Sequence, residues 1–452
     1  MILFTHTVRS LLKNRIPGQL IVQITDRCNA RCPQCGMRVT EPFVRSTLST
    51  DTIKQIIDAA VHKGIQVISF TGGEPLLDIS RLVEVIRYAG KAGIPFIRTG
   101  TNGFLFRHHK NKDFKERISR IAGQLADTPL RNFWISLDSA ADSVHEEMRG
   151  FPDVVAGIEK ALPIFHEAGI YPAVNLGINR NVSGTSTRQL KREQFSSDKT
   201  YLEAFYFTYQ RAFKSFYQRA VNIGFTIANT CYPMSVDASE VEQGLNAIYG
   251  AAAVVDIVRF TPAEKQMMFN ALTSAIRQFR SKLRIFTPLC SLEALIRQNS
   301  IGVFEKSTYG CRGGIDFFFI DATDGNVYPC GYRGNENHGP LWEMDIRHIR
   351  PETEKSACRR CDWECFRDPS EMFGPFLEIL SNPINWIKRF STNPGALVTW
   401  LEDLRYYKAC GFFNGRQPLD SKKLKRFSST PSESRKYSLL PSGKFNKKLF
   451  VN

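Results

Sequence analysis

At 452 residues, with 42% hydrophobic and 23% charged residues, the chain is long enough for one large domain and a smaller appended one, and its composition is that of an ordinary globular protein. No run of 18 apolar residues occurs, which argues against a transmembrane helix. The net charge is +16, and half of it falls between Ser421 and Asn452, where nine Lys or Arg face a single acid, Glu433.

The opening residues 1–18 are interrupted by His6, Arg9, Lys13 and Arg15, so they read as a short helix ended by Pro17-Gly18 and not as a secretory signal. From residue 19 to about 235, short apolar runs alternate with amphipathic stretches, the pattern of βα units and a parallel sheet. Expected strands are Gln19–Thr25, Val67–Thr71, Phe96–Thr101, Asn132–Asp138, Tyr171–Ile178 and Asn222–Ala228, with helices such as Asp51–His62 and Ile79–Ala92 between them. Six such repeats predict an α/β fold: a partial (β/α)6 barrel of TIM type, with its active site at the C-terminal ends of the strands. Ser183–Thr200 reads as a loop. The aromatic run Tyr201, Phe205, Tyr206, Phe207, Tyr209, Phe213, Phe216 and Tyr217 reads as core, with a substrate channel as the alternative.

Residues 236–300 read as a helical linker, 301–370 as a small cysteine-rich unit, 371–416 as covering helices, and 417–452 as a basic, disordered tail. Such a tail solubilises, or suits an anionic lipid surface or nucleic acid; for the chain as a whole no nucleic-acid partner is expected. The mixed aromatic and basic segments around Trp386 and Trp400 suggest either helices covering the barrel or a face that meets membrane lipid. With a first strand near residue 19, no separate leader-binding domain is expected ahead of the barrel.

Eleven cysteines, unevenly spaced and without a secretory signal, read as metal ligands and not as a disulfide framework. Cys28, Cys32 and Cys35 follow the first strand as C-x3-C-x2-C. Three thiolates on one loop can hold three irons of a [4Fe–4S] cube and leave the fourth open. Zinc is the alternative, although no further Cys or His lies between residues 7 and 61 to complete a structural site.

Later strand ends carry Thr71-Gly72-Gly73-Glu74-Pro75, Thr101-Asn102-Gly103 and Ser136-Leu137-Asp138, the last followed by His145 and Arg149-Gly150. With the cysteine triplet, these resemble the motifs of the radical S-adenosylmethionine (SAM) superfamily, over at least residues 19–230. The resemblance implies that a [4Fe–4S] cluster on Cys28, Cys32 and Cys35 binds SAM at its open iron. A reductant such as flavodoxin or ferredoxin would then drive cleavage to a 5′-deoxyadenosyl radical. It further implies that Gly72, Gly73 and Glu74 hold the methionine moiety, and that Ser136 and Arg149 meet ribose or carboxylate. One departure is Gln34, where the family usually has an aromatic residue against adenine.

Cys311, Cys330, Cys358, Cys361 and Cys365, with Asp324-Gly325 at a hairpin turn, resemble the SPASM/Twitch extension. That implies one auxiliary [4Fe–4S] cluster, with zinc as the alternative. Cys231 reads as a small buried side chain or a catalytic thiol; Cys290 and Cys410 would raise the ligand count to seven, still short of the eight that two clusters need, and their role is left open. By the same resemblance the substrate is a peptide or protein, with a lipid or other small molecule at the membrane surface as the alternative. A non-catalytic iron–sulfur or zinc sensor is the reading from a different class. The enzyme is expected to be cytoplasmic, peripheral to the membrane if its tail binds lipid.

Overall fold

The structure is a computed structural model that describes residues 10–35, 45–233, 256–300, 309–346, 349 and 361–428. The helix expected over 1–18 therefore lies largely outside the described residues, as do Cys358 and the tail beyond residue 428.

Nine strands form one open sheet in the order β7-β6-β5-β4-β3-β2-β1-β8-β9. They are β1 Gly18–Thr25, β2 Ile65–Gly72, β3 Phe96–Thr101, β4 Leu130–Ser136, β5 Ala173–Gly177, β6 Ile227–Cys231, β7 Arg284–Ile285, β8 Phe317–Ile320 and β9 Val327–Tyr328. All neighbouring pairs run parallel except β8 with β9. Strand residues divide by alternation. In β1, Leu20, Val22 and Ile24 face the main core, whereas Ile21 belongs to a second cluster with Phe317, Phe319, Trp363 and Phe366.

The outer face of the sheet is covered by amphipathic helices, among them α1 Thr50–His62, α2 Ile79–Ala92, α3 Phe114–Ala126, α4 Asp142–Arg149, α5 Val154–Glu167, α6 Asp198–Ile223 and α7 Pro262–Phe279. Helix α1 buries Ile53, Ile56, Ile57 and Ala60, the spacing of one helical face, and starts where Ser49 Oγ accepts the Thr52 N–H at 3.0 Å. Most of the aromatic run is core: Tyr201, Phe205, Tyr209, Phe213, Phe216 and Tyr217 are buried along α6, with Tyr201 also lining an open groove, while Phe207 is exposed.

Several sequence expectations are corrected. The sixth strand is Ile227–Cys231 and not Asn222–Ala228, because α6 runs through Ile223 and ends on Gly224 in the left-handed region. The stretch read as a linker contributes β7 and the helix α8 Leu289–Gln298. The Asp324-Gly325 hairpin is present, but its first strand, β8, also pairs with β1, so the cysteine-rich unit extends the barrel sheet. The boundary expected at 370 falls inside α9 Glu364–Ser381, which is followed by α10 Pro383–Thr392 and α11 Pro394–Ala409.

The first part of the tail expected from residue 417, up to Ser428, is ordered. Ser421–Leu424 is a helical turn capped by Asp420, and Leu424 is fully buried against a cluster that includes Tyr406, Cys410 and Phe413. Leu424, with Leu419 and Phe427 beside it, anchors a segment that carries five charges from Asp420 to Arg426. Leu424→Ala is therefore expected to cost about 2 kcal/mol or more, and a chain ending at residue 416 should unfold at a lower temperature than one ending at 428 by calorimetry.

Candidate active site

The three cysteines follow β1, and their loop is held from beneath by the turn after β2. The Gly73 N–H donates to the Thr25 carbonyl at 2.7 Å, and the Glu74 N–H to the Arg27 carbonyl at 2.9 Å. This contact is backbone on backbone. A Cβ at Gly72 would lie 1.9 Å from the Thr25 carbonyl oxygen, and one at Gly73 would lie 2.1 Å from that of Arg27; Gly72 also has a φ of +136°. The glycines thus bring the chain against the base of the cysteine loop.

Glu74 is fully buried. One carboxylate oxygen accepts the Leu76 N–H at 3.0 Å and the other the Asn102 N–H at 2.6 Å. Burial pushes its pKa up to about 7, against the lowering effect of those hydrogen bonds. Its carboxylate therefore ties the end of β2 to the end of β3. Asn102 continues the chain of contacts, with Nδ2 2.9 Å from Asn29 Oδ1 and 3.6 Å from Cys28 Sγ.

Cys28 is exposed, Cys32 buried and Cys35 half-buried, and the Cys35 N–H closes the turn onto the Cys32 carbonyl at 3.1 Å. Burial raises the Cys32 thiol to about 12, while the nearby Arg149 guanidinium works in the opposite direction. Arg149 is held by a two-pronged contact to Asp138, at 2.7 Å and 2.9 Å. Burial alone would raise the Asp138 pKa, but Arg149 and His145 hold this carboxyl well below the usual carboxylate range. The Asp138 N–H donates to His145 Nδ1 at 3.1 Å, and Asn179 Nδ2 donates to the Asp138 carbonyl at 2.9 Å. One edge of the Arg149 fork, Nε and Nη2, is thus taken by Asp138 itself. Ser136 is half-buried at the end of β4.

Inside the curved sheet lies a cavity of about 220 Å³, lined from successive strands by residues that include Gln23, Gly72, Arg98, Trp134, Asn175, Asn229 and Cys231. Trp363, Glu364 and Cys365 line it from the C-terminal unit. Cys231 is therefore not simply a core side chain. Its thiol lies 3.4 Å from both amide atoms of Asn175, and Asn229 Nδ2 donates to Asn175 Oδ1 at 2.8 Å. Burial raises the Cys231 thiol well above its ordinary value, helped by Glu364 and Cys365. A second, more open groove of about 800 Å³ is lined by Arg31 and Pro33 of the cysteine loop and by Arg188, Lys191, Tyr201 and Glu264.

In the second cysteine group, Cys311, Cys330, Cys361 and Cys365 belong to or pack against the cluster around Trp363 and Phe366. Burial raises the Cys361 thiol, and its nearest charged influences are Cys311 and Cys330. Cys365 lines the cavity; its Sγ lies 3.5 Å from Glu364 Oε1, and Glu364, Arg98 and Asp368 are the charges that act on it. Cys290 contacts the Met372 sulfur at 3.5 Å, and Cys410 is buried beneath α11. Among the described residues, no three ligating side chains of either group converge on one point.

A parallel αβ sheet with a cysteine loop at the end of its first strand and a cavity inside is the architecture of the radical SAM enzymes. Residues 22–179 match the model of the Radical SAM superfamily, a match that together with the named relatives marks the chain as an enzyme. It is 26% identical, over 78% of its length and 77% of the relative's, to an AdoMet-dependent heme synthase of Oleidesulfovibrio alaskensis. It is 31% identical to a GTP 3′,8-cyclase of Acidothermus cellulolyticus, over 41% of this chain and 50% of that one. Among solved structures, Streptococcus suis SuiB bound to S-adenosylmethionine is similar with a TM-score of 0.48 and 15% identity, covering 79% of this chain and 76% of SuiB.

Proteins of this superfamily bind a [4Fe–4S] cluster and SAM. The residues present fit both groups. The cysteine loop offers three soft thiol donors and no histidine. Gln34, beside the third cysteine, has a buried Oε1 without a hydrogen-bond partner among the described residues, an acceptor suited to an amino group such as that of adenine.

Arg98 was the residue missed from sequence. Its signal was an arginine at the centre of Phe96–Thr101, an otherwise uncharged strand. Because the glycine contacts set the loop, Gly73→Ala should reduce iron uptake on anaerobic reconstitution by more than roughly half, since backbone must move to admit the Cβ. Gly123→Ala, where an added Cβ meets nothing within 4 Å, should leave iron content unchanged in the same assay.

Proposed function

We propose that this enzyme reductively cleaves SAM and uses the 5′-deoxyadenosyl radical to remove a hydrogen atom from a peptide or protein side chain. The observation that carries this reading is the pair of open spaces flanking the cysteine loop: Gly72 lines the 220 Å³ cavity, and Arg31 and Pro33 line the 800 Å³ groove. A cavity of that size suits one side chain, and the larger open groove suits the chain that bears it.

Cys28, Cys32 and Cys35 would hold the cluster, which would supply the electron for reductive cleavage of SAM. The residues of the chain position and insulate. Glu74 and the paired glycines fix the loop, Arg149 places positive charge beside Cys32, and Gln34 offers an acceptor for adenine. Ser136 stands at the strand end for the ribose. The free edge of Arg149, beyond its contact with Asp138, is the part left for the SAM carboxylate. We assign the auxiliary [4Fe–4S] cluster to Cys311, Cys330, Cys358 and Cys361, with Cys365 facing the substrate cavity. A small redox protein such as flavodoxin or ferredoxin is the proposed reductant.

Anaerobic reconstitution should give about eight irons per chain and form 5′-deoxyadenosine with dithionite, as two four-iron clusters require. The Cys28, Cys32 and Cys35 triple alanine variant should keep about four irons and form no 5′-deoxyadenosine. Zinc in place of iron, or a fully loaded enzyme that never cleaves SAM, would overturn the reading.

A second reading concerns where the enzyme works. Helix α10 and the start of α11 present Ile384, Ile387 and Val398 at 79%, 59% and 64% exposure, with Lys388 alongside and the basic C-terminal segment following. No described helix is long and apolar enough to cross a membrane. Exposed apolar residues with adjoining positive charge suit an anionic membrane surface. Vesicles containing phosphatidylserine should bind the protein at low salt, and Ile384→Glu with Ile387→Glu should weaken binding by about ten-fold or more. Equal binding to neutral vesicles would count against it.

A further inference from the structure

Buried guanidiniums in several parts of this fold have carboxylate partners: Arg149 has Asp138, Arg280 has Asp403, and Arg312 has Asp316. Arg98 does not. It lines the cavity from the middle of β3, in register with Ser69 on one side and Asn132 on the other. Its Nε donates to Ser69 Oγ at 2.5 Å, and among the described residues neither Nη makes a hydrogen bond and no carboxylate lies within ion-pair distance. Glu364 lines the same cavity without pairing to it.

A guanidinium cannot shed its charge at any working pH. Held beside Phe96, Trp134 and Trp363, it is partly removed from water without the counter-charge that would offset this. Such an arrangement favours a bound anion. The identity of that anion is limited by the rest of the lining. Arg98 is the single cationic residue there and Glu364 adds an acid, so a doubly charged phosphate is disfavoured and a singly charged carboxylate is accommodated. The aromatic walls suit an apolar carbon chain or ring bearing it.

We propose that the barrel cavity is a carboxylate-binding site, in which Arg98 receives a carboxylate of the substrate. This rests on reading the cavity as the substrate site of the enzyme. The carboxylate could belong to an acidic side chain of a peptide or to a small carboxylic acid, and the chemistry of recognition is the same.

The test is calorimetric titration of the anaerobically reconstituted enzyme with 3-phenylpropionate and with its amide. The acid should bind saturably and about ten-fold or more tighter than the amide, since only the acid makes a charge-assisted pair. Arg98→Gln should bring the acid to the level of the amide, and Arg98→Lys should retain part of the difference; thermal unfolding and iron content of both variants report folding. Equal binding of acid and amide, no binding of either, or unchanged binding by Arg98→Gln would overturn the proposal. If Arg98→Gln does not fold, the acid-to-amide ratio of the wild type and of Arg98→Lys decides. A capped glutamate binding tighter than the free acid marks a peptide source, and the reverse marks a small molecule. The assay is independent of turnover. Arg98-dependent binding by a protein that forms no 5′-deoxyadenosine would sink the radical reading alone, and cleavage without acid preference would sink this one alone.

Discussion

The site depends on one close approach, that of Gly72-Gly73 to the backbone leaving β1. Two hydrogen bonds, to the Thr25 and Arg27 carbonyls, hold the turn after β2 beneath the cysteine loop. Any side chain at either glycine would occupy the space of those carbonyl oxygens. Glu74 then carries the restraint onward to the end of β3 through Asn102, whose amide reaches back to Asn29 and the Cys28 sulfur. Three strand ends and the cysteine loop are thereby stitched into one unit. Preorganisation of this kind lets a flexible loop present three thiols without a large entropic cost at the moment of binding.

Charge is handled differently on the two sides of that unit. Towards the cysteines, Arg149 is fixed by Asp138, and Asp138 is fixed in turn by His145 and Asn179. Its positive field reaches Cys32, whose buried thiol would otherwise resist ionisation all the more. Inside the sheet, by contrast, the polar residues Arg98, Asn175, Asn229 and Glu364 are set among aromatic rings. The cysteine-rich unit makes this possible. Strand β8 extends the sheet beside β1, and Trp363, Glu364 and Cys365 line the cavity that the open barrel would otherwise leave bare.

Much of this was legible in the chain itself. Short apolar runs separated by amphipathic stretches marked five of the first six strands, because a parallel strand covered on both faces reads as a compact apolar run between helices. The sixth was misread because Ile223 and Phe225 suit either element, and only the packing of α6 along its whole length decided for helix. The basic tail was drawn too early, since composition gives little weight to one leucine among lysines, and Leu424 finds a pocket only once α11 is in place.

The cysteine spacing and the paired glycines followed by Glu74 and Pro75 carried the resemblance to the Radical SAM superfamily, whose model residues 22–179 match, because local chemistry needs those residue types at those spacings. What they did not determine is what the residues touch. That the glycines meet the cysteine loop's own backbone, that Glu74 is spent on two N–H groups, and that Asp138 occupies the Arg149 fork are facts of tertiary contact. Arg98 is the clearest case. A sequence shows an arginine in a strand, but only the arrangement of all the strands around it decides whether a carboxylate stands within reach, and here none of the described ones does.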